Sequence, residues 1–408
     1  MQWRIAIGLF ALVSTPNVFA EATVEERITI LEQQVASYKS QMESNDEEDS
    51  RFTFGGYLSF GVGYESQPYN YDGMGTNKRS DWEQLSLVGL QLNYQFSDST
   101  SVGVQGLAQG AENWSTEITW AYLKHRFDSG ITVRAGRLGV PLYIYSDYID
   151  VGYAYPWART PVNVYGLMPF TSYTGTDATY SFDLDVASLR VQSFVGSTTS
   201  DTNFGETDFP LIYGLNLTLN YDDMMFRVIG GKANGLTINN GNSNATNSYD
   251  LLINNNTSLV VGTLNDENAF FVGSGFAYDD GDYLVISELI RQYTAGMYPD
   301  WNSGYITLGY YIEEFLPYVT AGFIRSTDDD LRESNSTSQL FFNTMYNTYS
   351  LGVRWDVYEN IALKGDVTLL DNFGDTNGAL SGRAGKALLG QSVTDSLVIY
   401  TIRLDLTF

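Results

Sequence analysis

Six basic side chains, Arg134, Arg190, Arg227, Arg354, Lys364 and Arg403, and four acidic ones, Glu117, Asp356, Asp366 and Asp405, stand on the polar side of segments where apolar and polar residues alternate. Alternation with a period of two marks a β-strand with one apolar and one wet face. Two chemistries fit such charges. Opposite charges two apart, as in Arg354/Asp356 and Arg403/Asp405, can pair and hold strands in place. Cations on successive strands can instead attract anions, and Arg354, Lys364 and Arg403 fall on three consecutive segments near mid-height, a basic stripe on one wall. Cysteine is absent and His125 is the single histidine. Thiol chemistry and disulfides therefore drop out, and a nucleophile would have to take His125 as its base with no serine motif near it. No enzyme activity, catalytic residue, metal ligand set or cofactor is expected, and a formal charge of −26 argues against a nucleic-acid partner.

The scaffold that would position these charges is β throughout. From Arg51 onward about sixteen segments alternate: 51–64, 84–96, 101–107, 116–126, 131–138, 178–184, 187–196, 211–220, 224–232, 269–278, 283–291, 304–312, 318–325, 348–357, 361–370 and 396–408. Their connections alternate between long and short, and the short ones are acidic or Asn-rich turns. No run of eighteen apolar residues follows the N-terminus, so only a closed barrel could cross a bilayer. In such a barrel the apolar face meets lipid and the polar face a wet lumen. The lipid-facing set then includes Phe54, Leu90, Trp120, Leu215, Ile306, Val319, Leu351 and Val367, with Tyr94, Phe96, Tyr310, Tyr349, Trp355, Tyr400 and Phe408 at girdle positions. Segment 283–291 puts an apolar residue in the lumen in either register. The apolar-rich stretch 258–264 leaves eighteen strands as an alternative to sixteen.

Ahead of the barrel, residues 1–20 read as a cleaved secretory signal, with Arg4, an apolar core and Val18-Phe19-Ala20. Removing Arg4, with no Asp or Glu lost, leaves one more negative charge. Val24, Ile28, Leu31, Val35, Tyr38 and Met42 hold a heptad seam, so 21–44 is expected to be a short self-associating coiled-coil helix, joined by a charged linker, 45–50, to a barrel over 51–408. Within the barrel, the third long connection, 139–177, carries Tyr143, Tyr145, Tyr148, Tyr153, Tyr155, Trp157, Tyr165, Phe170 and Tyr173 and is stiffened by Pro156 and Pro161. A loop so long and aromatic is functional or a cap.

The final strand, DSLVIYTIRLDLTF, resembles the C-terminal signature of Gram-negative outer-membrane proteins, and the mature chain as a whole resembles their trimeric porins. The coil and the segment DVGYAYPWARTPV, 150–162, resemble the branch with phosphate-selective and dicarboxylate-type porins. The resemblance implies sixteen strands, a homotrimer in the cell outer membrane and a third loop folded inward to narrow the pore. Asp147, Asp150 and Arg159 would be its constriction charges, opposed across the pore by Arg354, Lys364 and Arg403. Opposed walls would orient dipolar solutes. The expected function is passive diffusion of small hydrophilic solutes and ions. Alternatives are a channel specific for small anions such as phosphate or dicarboxylates, or for sugars stacking on Tyr57, Tyr305, Tyr311 and Tyr318, and a structural, adhesive or enzymatic barrel. Outer-membrane lipid and lipopolysaccharide are expected partners, the latter bridged by divalent cations to acidic loops such as Asp328 to Asp330.

Overall fold

The computed structural model describes residues 51–73, 80–167, 170–202, 205–239, 252–253, 259–260, 264–295, 298–333 and 336–408. The expected signal, 1–20, coiled coil, 21–44, and linker, 45–50, lie outside the described residues.

Sixteen long antiparallel strands form one sheet: β1 (Phe52–Glu65), β2 (Leu87–Ser97), β3 (Thr100–Gln109), β4 (Thr116–Arg126), β5 (Thr132–Gly139), β6 (Ser172–Leu184), β7 (Ala187–Thr202), β8 (Gly205–Tyr221), β9 (Met224–Asn239), β10 (Leu264–Asp279), β11 (Tyr283–Thr294), β12 (Trp301–Tyr310), β13 (Phe315–Ser326), β14 (Met345–Tyr358), β15 (Ile361–Asp371) and β16 (Ser396–Thr407). Each pairs with the next, and β16 returns to β1 in the register Tyr57↔Thr407 through Glu65↔Ile399, so the sheet closes and has no free edge. Leu252–Ile253 and Leu259–Val260 pair only with each other, outside the barrel sheet, and the count stays at sixteen. One end of the barrel carries short turns, where Asp185, Asp222 and Glu313 adopt positive φ as tight hairpins demand. At the other end 66–86, 140–171, 240–263, 327–344 and 372–395 are long. The alternation is not complete: at the long-loop end residues 110–115 and 295–300 are brief, and β7 ends at Thr202 only a little before β8 begins at Gly205, because these strands run further than their apolar alternation does.

On β16, Tyr400, Ile402 and Leu404 face outward and exposed, whereas Leu397, Ile399, Thr401, Arg403 and Asp405 are buried inside. The same facing holds for Phe54, Leu90, Leu215, Ile306, Val319 and Leu351, all exposed on the outer surface. Trp120 departs from it. A bulge between Gln105 and Gly106 on β3 skips Thr119, so Trp120 pairs with the buried Gln105 and turns its indole inward, toward Gly139. On β11 the inward set is Leu284, Ile286, Glu288 and Ile290, and Tyr283 and Leu289 face out. An apolar inner face is stable there because the lumen beside it is filled.

Candidate functional site

The filling is the loop between β5 and β6. Leu142, Tyr143, Tyr145, Tyr155, Trp157 and Val164 form one buried cluster with inner-wall residues of β7 to β13, among them Phe194, Ile229, Phe271, Leu284, Ile286, Ile290, Tyr305, Leu316 and Tyr318. Trp157 packs edge-on to Tyr145 and Tyr305. Water is driven from both surfaces at once, which is why a loop rich in aromatics folds inward rather than over the surface. The loop's single turn of helix, Val162–Tyr165, starts at Pro161, whose fixed φ suits a helix entrance.

Polar contacts then fix the height at which each part of the loop sits. Near the long-loop end, Asn163 Nδ2 donates to the Gly304 carbonyl at 2.6 Å. Lower down, Trp157 Nε1 donates to Thr307 Oγ1 at 2.9 Å. Glu288, buried on β11, accepts from the Tyr165 and Tyr305 hydroxyls at 2.5 and 2.8 Å and from the Ile144 amide at 2.9 Å. Lys364 Nζ donates to the carbonyls of Gly152 and Tyr155 at 2.5 and 2.6 Å, and Arg354 Nη1 to that of Tyr153 at 2.7 Å. Lowest of all, the Tyr153 hydroxyl donates to the Glu359 carbonyl at 2.6 Å, in the short turn between β14 and β15. The loop therefore enters from the long-loop end and reaches down the β14–β16 wall to the opposite rim. A cavity of about 20 Å³ beneath Trp157, Arg159 and Asn163, room for about one water, remains between loop and wall.

The basic stripe does not stand across an open gap from the loop; it holds the loop's backbone. Arg354 pairs with Asp356 at 2.8 Å, and Lys364 and Arg403 share Asp405 at 2.9 and 2.8 Å. Arg403 also donates to the Tyr155 hydroxyl and to Ser59 Oγ. Arg159 lies with neither group: its guanidinium pairs with Asp72 from the first long loop, and its amide donates to Asp366 Oδ2 at 3.3 Å. Arg227 donates to the Pro141 carbonyl and to Asn216. Arg134 pairs with Asp177 at 2.5 Å and lies over the Tyr122 ring. Arg190 is exposed on the inner face of β7 near the short-turn end. Glu117 is exposed on β4, and Asp147 and Asp150 are half-buried on the loop. Asp150 is pushed up to about 6 from an ordinary 3.8, first by loss of solvent and then by the Glu117 charge, with Arg403 pulling the other way.

Glu288, Asp177 and Asp72 are the anchors that period-two reasoning missed. Glu288 sits in a segment that leaves an apolar residue in the lumen in either register, Asp177 falls where alternation has not yet begun, and Asp72 lies in a connection with no alternation. Besides Arg190, the inner wall the loop leaves uncovered includes β2 and β4, where Gln91, Asn93, Gln95, Glu117, Tyr122 and Lys124 are half-buried or exposed. His125 turns away from it: its ring bonds Thr100 on the outer side and packs edge-on to Phe127.

No family model matches the chain, and no curated protein does. Solved structures do. The outer-membrane expressed OmpT of Vibrio cholerae superposes with a TM-score of 0.55 at 12% identity, over 90% of this chain and 100% of that one. OmpF of Salmonella typhi, in complex with daunomycin, gives 0.55 at 10%, over 88% and 97%. The anion-selective porin from Comamonas acidovorans gives 0.54 at 10%, over 88% and 99%. At such identities the likeness is one of fold, and the fold is that of the outer-membrane porins.

Proposed function

We propose that the chain is an outer-membrane diffusion channel for small hydrophilic solutes, with a preference for cations, whose path runs between the inward loop and the amide-rich wall of β2–β4. The observation that carries the cation preference is a difference in availability. Arg354, Lys364, Arg403 and Arg159 are buried and joined to carboxylates or loop carbonyls, while Asp147, Asp150 and Glu117 keep contact with solvent and outnumber the exposed Lys124 and Arg190 of the inner face. Charges that face the path set ion selectivity; charges paired beneath the loop do not. In this reading the short-turn end is periplasmic and the long loops are external. The protomer is one of three in a trimer, with the heptad seam of residues 24–42 contributing to assembly.

Single-channel current across a planar bilayer with a salt gradient tests this. The expected result is insertion in steps of three and a reversal potential of the cation-selective sign. Absence of conductance from a correctly folded, heat-modifiable barrel would overturn the channel, and an anion-selective sign would overturn the assignment of the filter.

Acidity gives the same experiment a second arm. As pH falls through about 6, Asp150 takes up a proton and the path loses one negative charge, so the cation preference is expected to drop between pH 7 and 5. The Asp150→Asn variant should show the low-pH preference at both values. Stability moves in the opposite sense. The folded value lies above that of the unfolded chain, so the ionised carboxyl costs stability above pH 6 and the cost fades as pH falls toward 3.8.

A further inference from the structure

Among the described strands, four basic side chains occupy outward positions of the alternation: Arg137 on β5, Lys232 on β9, Arg291 on β11 and Arg325 on β13. Arg137, Arg291 and Arg325 lie toward the long-loop ends of their strands, and Lys232 lies at mid-strand. Two of them are neighbours in a row. Asn302 on β12 is directly opposite Arg291 on one side and Arg325 on the other, and strands two apart are about 10 Å from each other. Arg291 Nη1 donates to Asn302 Oδ1 at 2.9 Å and Arg325 Nη2 to Asn347 Oδ1 at 2.8 Å. The only carboxylate within ion-pair reach of either guanidinium, among the described residues, is Asp300, at 4.0 Å from Arg291. It also accepts the Thr294 amide. The row therefore keeps net positive charge.

Height matters as much as charge. Tyr293, whose ring lies under the Arg291 guanidinium, is exposed outward beside the row, and Leu289, Ile306 and Val319 form the exposed apolar surface below. Aromatic rings mark the level where acyl chains give way to headgroups. A guanidinium facing hydrocarbon would be costly, but one reaching up at this level meets phosphate. The opposite rim carries the reverse charge, with Asp98, Asp128, Asp185, Asp222, Glu313 and Glu359 in its turns.

We propose that Arg291 and Arg325, set on either side of Asn302, seat the phosphate of an outer-leaflet lipid headgroup, directly and without a bridging metal ion. The bidentate fork of arginine suits a phosphate. This rests on the placement of the barrel in an outer membrane with its long loops external.

The test is native mass spectrometry of the refolded full chain in neutral-detergent micelles containing diphosphoryl lipid A, with a chelator present. Wild type is expected to retain the lipid, and R291Q/R325Q to bind it roughly thirtyfold more weakly, R325Q alone about fivefold. Lipid A stripped of its phosphates should not be retained by either. Equal retention by wild type and the double variant, equal retention of the stripped lipid, or loss of binding on chelation would each overturn the proposal. So would a change in subunit number without a change in lipid binding, which would make the row a contact between copies. Conductance recorded on the same samples separates the two readings: a silent barrel that still holds lipid A through this row sinks the channel alone, and a conducting barrel indifferent to the two substitutions sinks the seat alone.

Discussion

Excising residues 143–164 and joining the ends with a short glycine-rich link is expected to raise single-channel conductance several-fold and, in the same protein, to lower barrel stability sharply. Both effects come from one interface. The deleted segment carries Tyr143, Tyr145, Tyr155, Trp157 and Val164, all buried against the wall. Returning that surface to water forfeits on the order of 10 kcal/mol, taken as an upper bound at about 2 kcal/mol for each large side chain. The wall left behind is apolar, with Leu284, Ile286, Ile290 and Phe271 facing a lumen that would now be wet. Adding Ile286→Thr and Ile290→Ser to the deletion should therefore recover folding yield while keeping the larger conductance, because those positions need to be apolar only while the loop covers them. The measurement is conductance beside the thermal midpoint of the heat-modifiable form. A deletion variant that folds and conducts no more than wild type would show that the loop is not what narrows the lumen.

That coupling between loop and wall explains where the sequence was readable. Strand existence and facing were legible wherever one face is the apolar outer surface of the barrel and the other meets polar groups, as in Leu404, Ile402 and Tyr400 against Asp405, Arg403 and Thr401. Alternation failed on β11, where Leu284, Ile286 and Ile290 are inside for a reason lying far upstream, in the loop that Ile144 ties to Glu288 across 144 residues. It failed at Trp120 because a bulge shifts facing by one residue and carries no side-chain signal of its own. The charged residues of the inner wall could be picked out by period two, but their partners could not. Lys364 is held by two backbone carbonyls, which every sequence supplies, and Arg159 finds Asp72 in a connection without periodicity. The aromatic content of residues 139–177 marked the loop as something other than a solvated connection. The depth to which it descends depends on contacts such as Tyr153 to Glu359, which join residues 206 apart.

Asp405→Asn is expected to be the most damaging single substitution in the barrel wall. The carboxylate is 1% exposed, forms ion pairs with Lys364 and Arg403 at 2.9 and 2.8 Å, and accepts from the Ser59 hydroxyl at 2.6 Å. Two buried cations depend on it. Neutralising it leaves them with carbonyl and hydroxyl oxygens alone, an imbalance that costs about 3–5 kcal/mol when one partner of a buried pair is removed. The loop should suffer as well, because Lys364 and Arg403 are, with Arg354, groups that hold Gly152 and Tyr155 in place. Gly152→Ala separates the two consequences. A Cβ there would stand 1.9 Å from Asp405 Oδ1 and 2.5 Å from Arg403 Nη2, so the loop must lift while the charges remain mutually paired. The expected outcome is a lowered thermal midpoint for D405N, a nearly native one for G152A, and in both a noisier open-channel current with faster hydrogen exchange at the amides of residues 150–157. Were G152A to destabilise the barrel as much as D405N, the loop and the charge cluster would form a single cooperative unit. Were neither to alter the current, the clamp on Gly152 and Tyr155 would have no part in shaping the path.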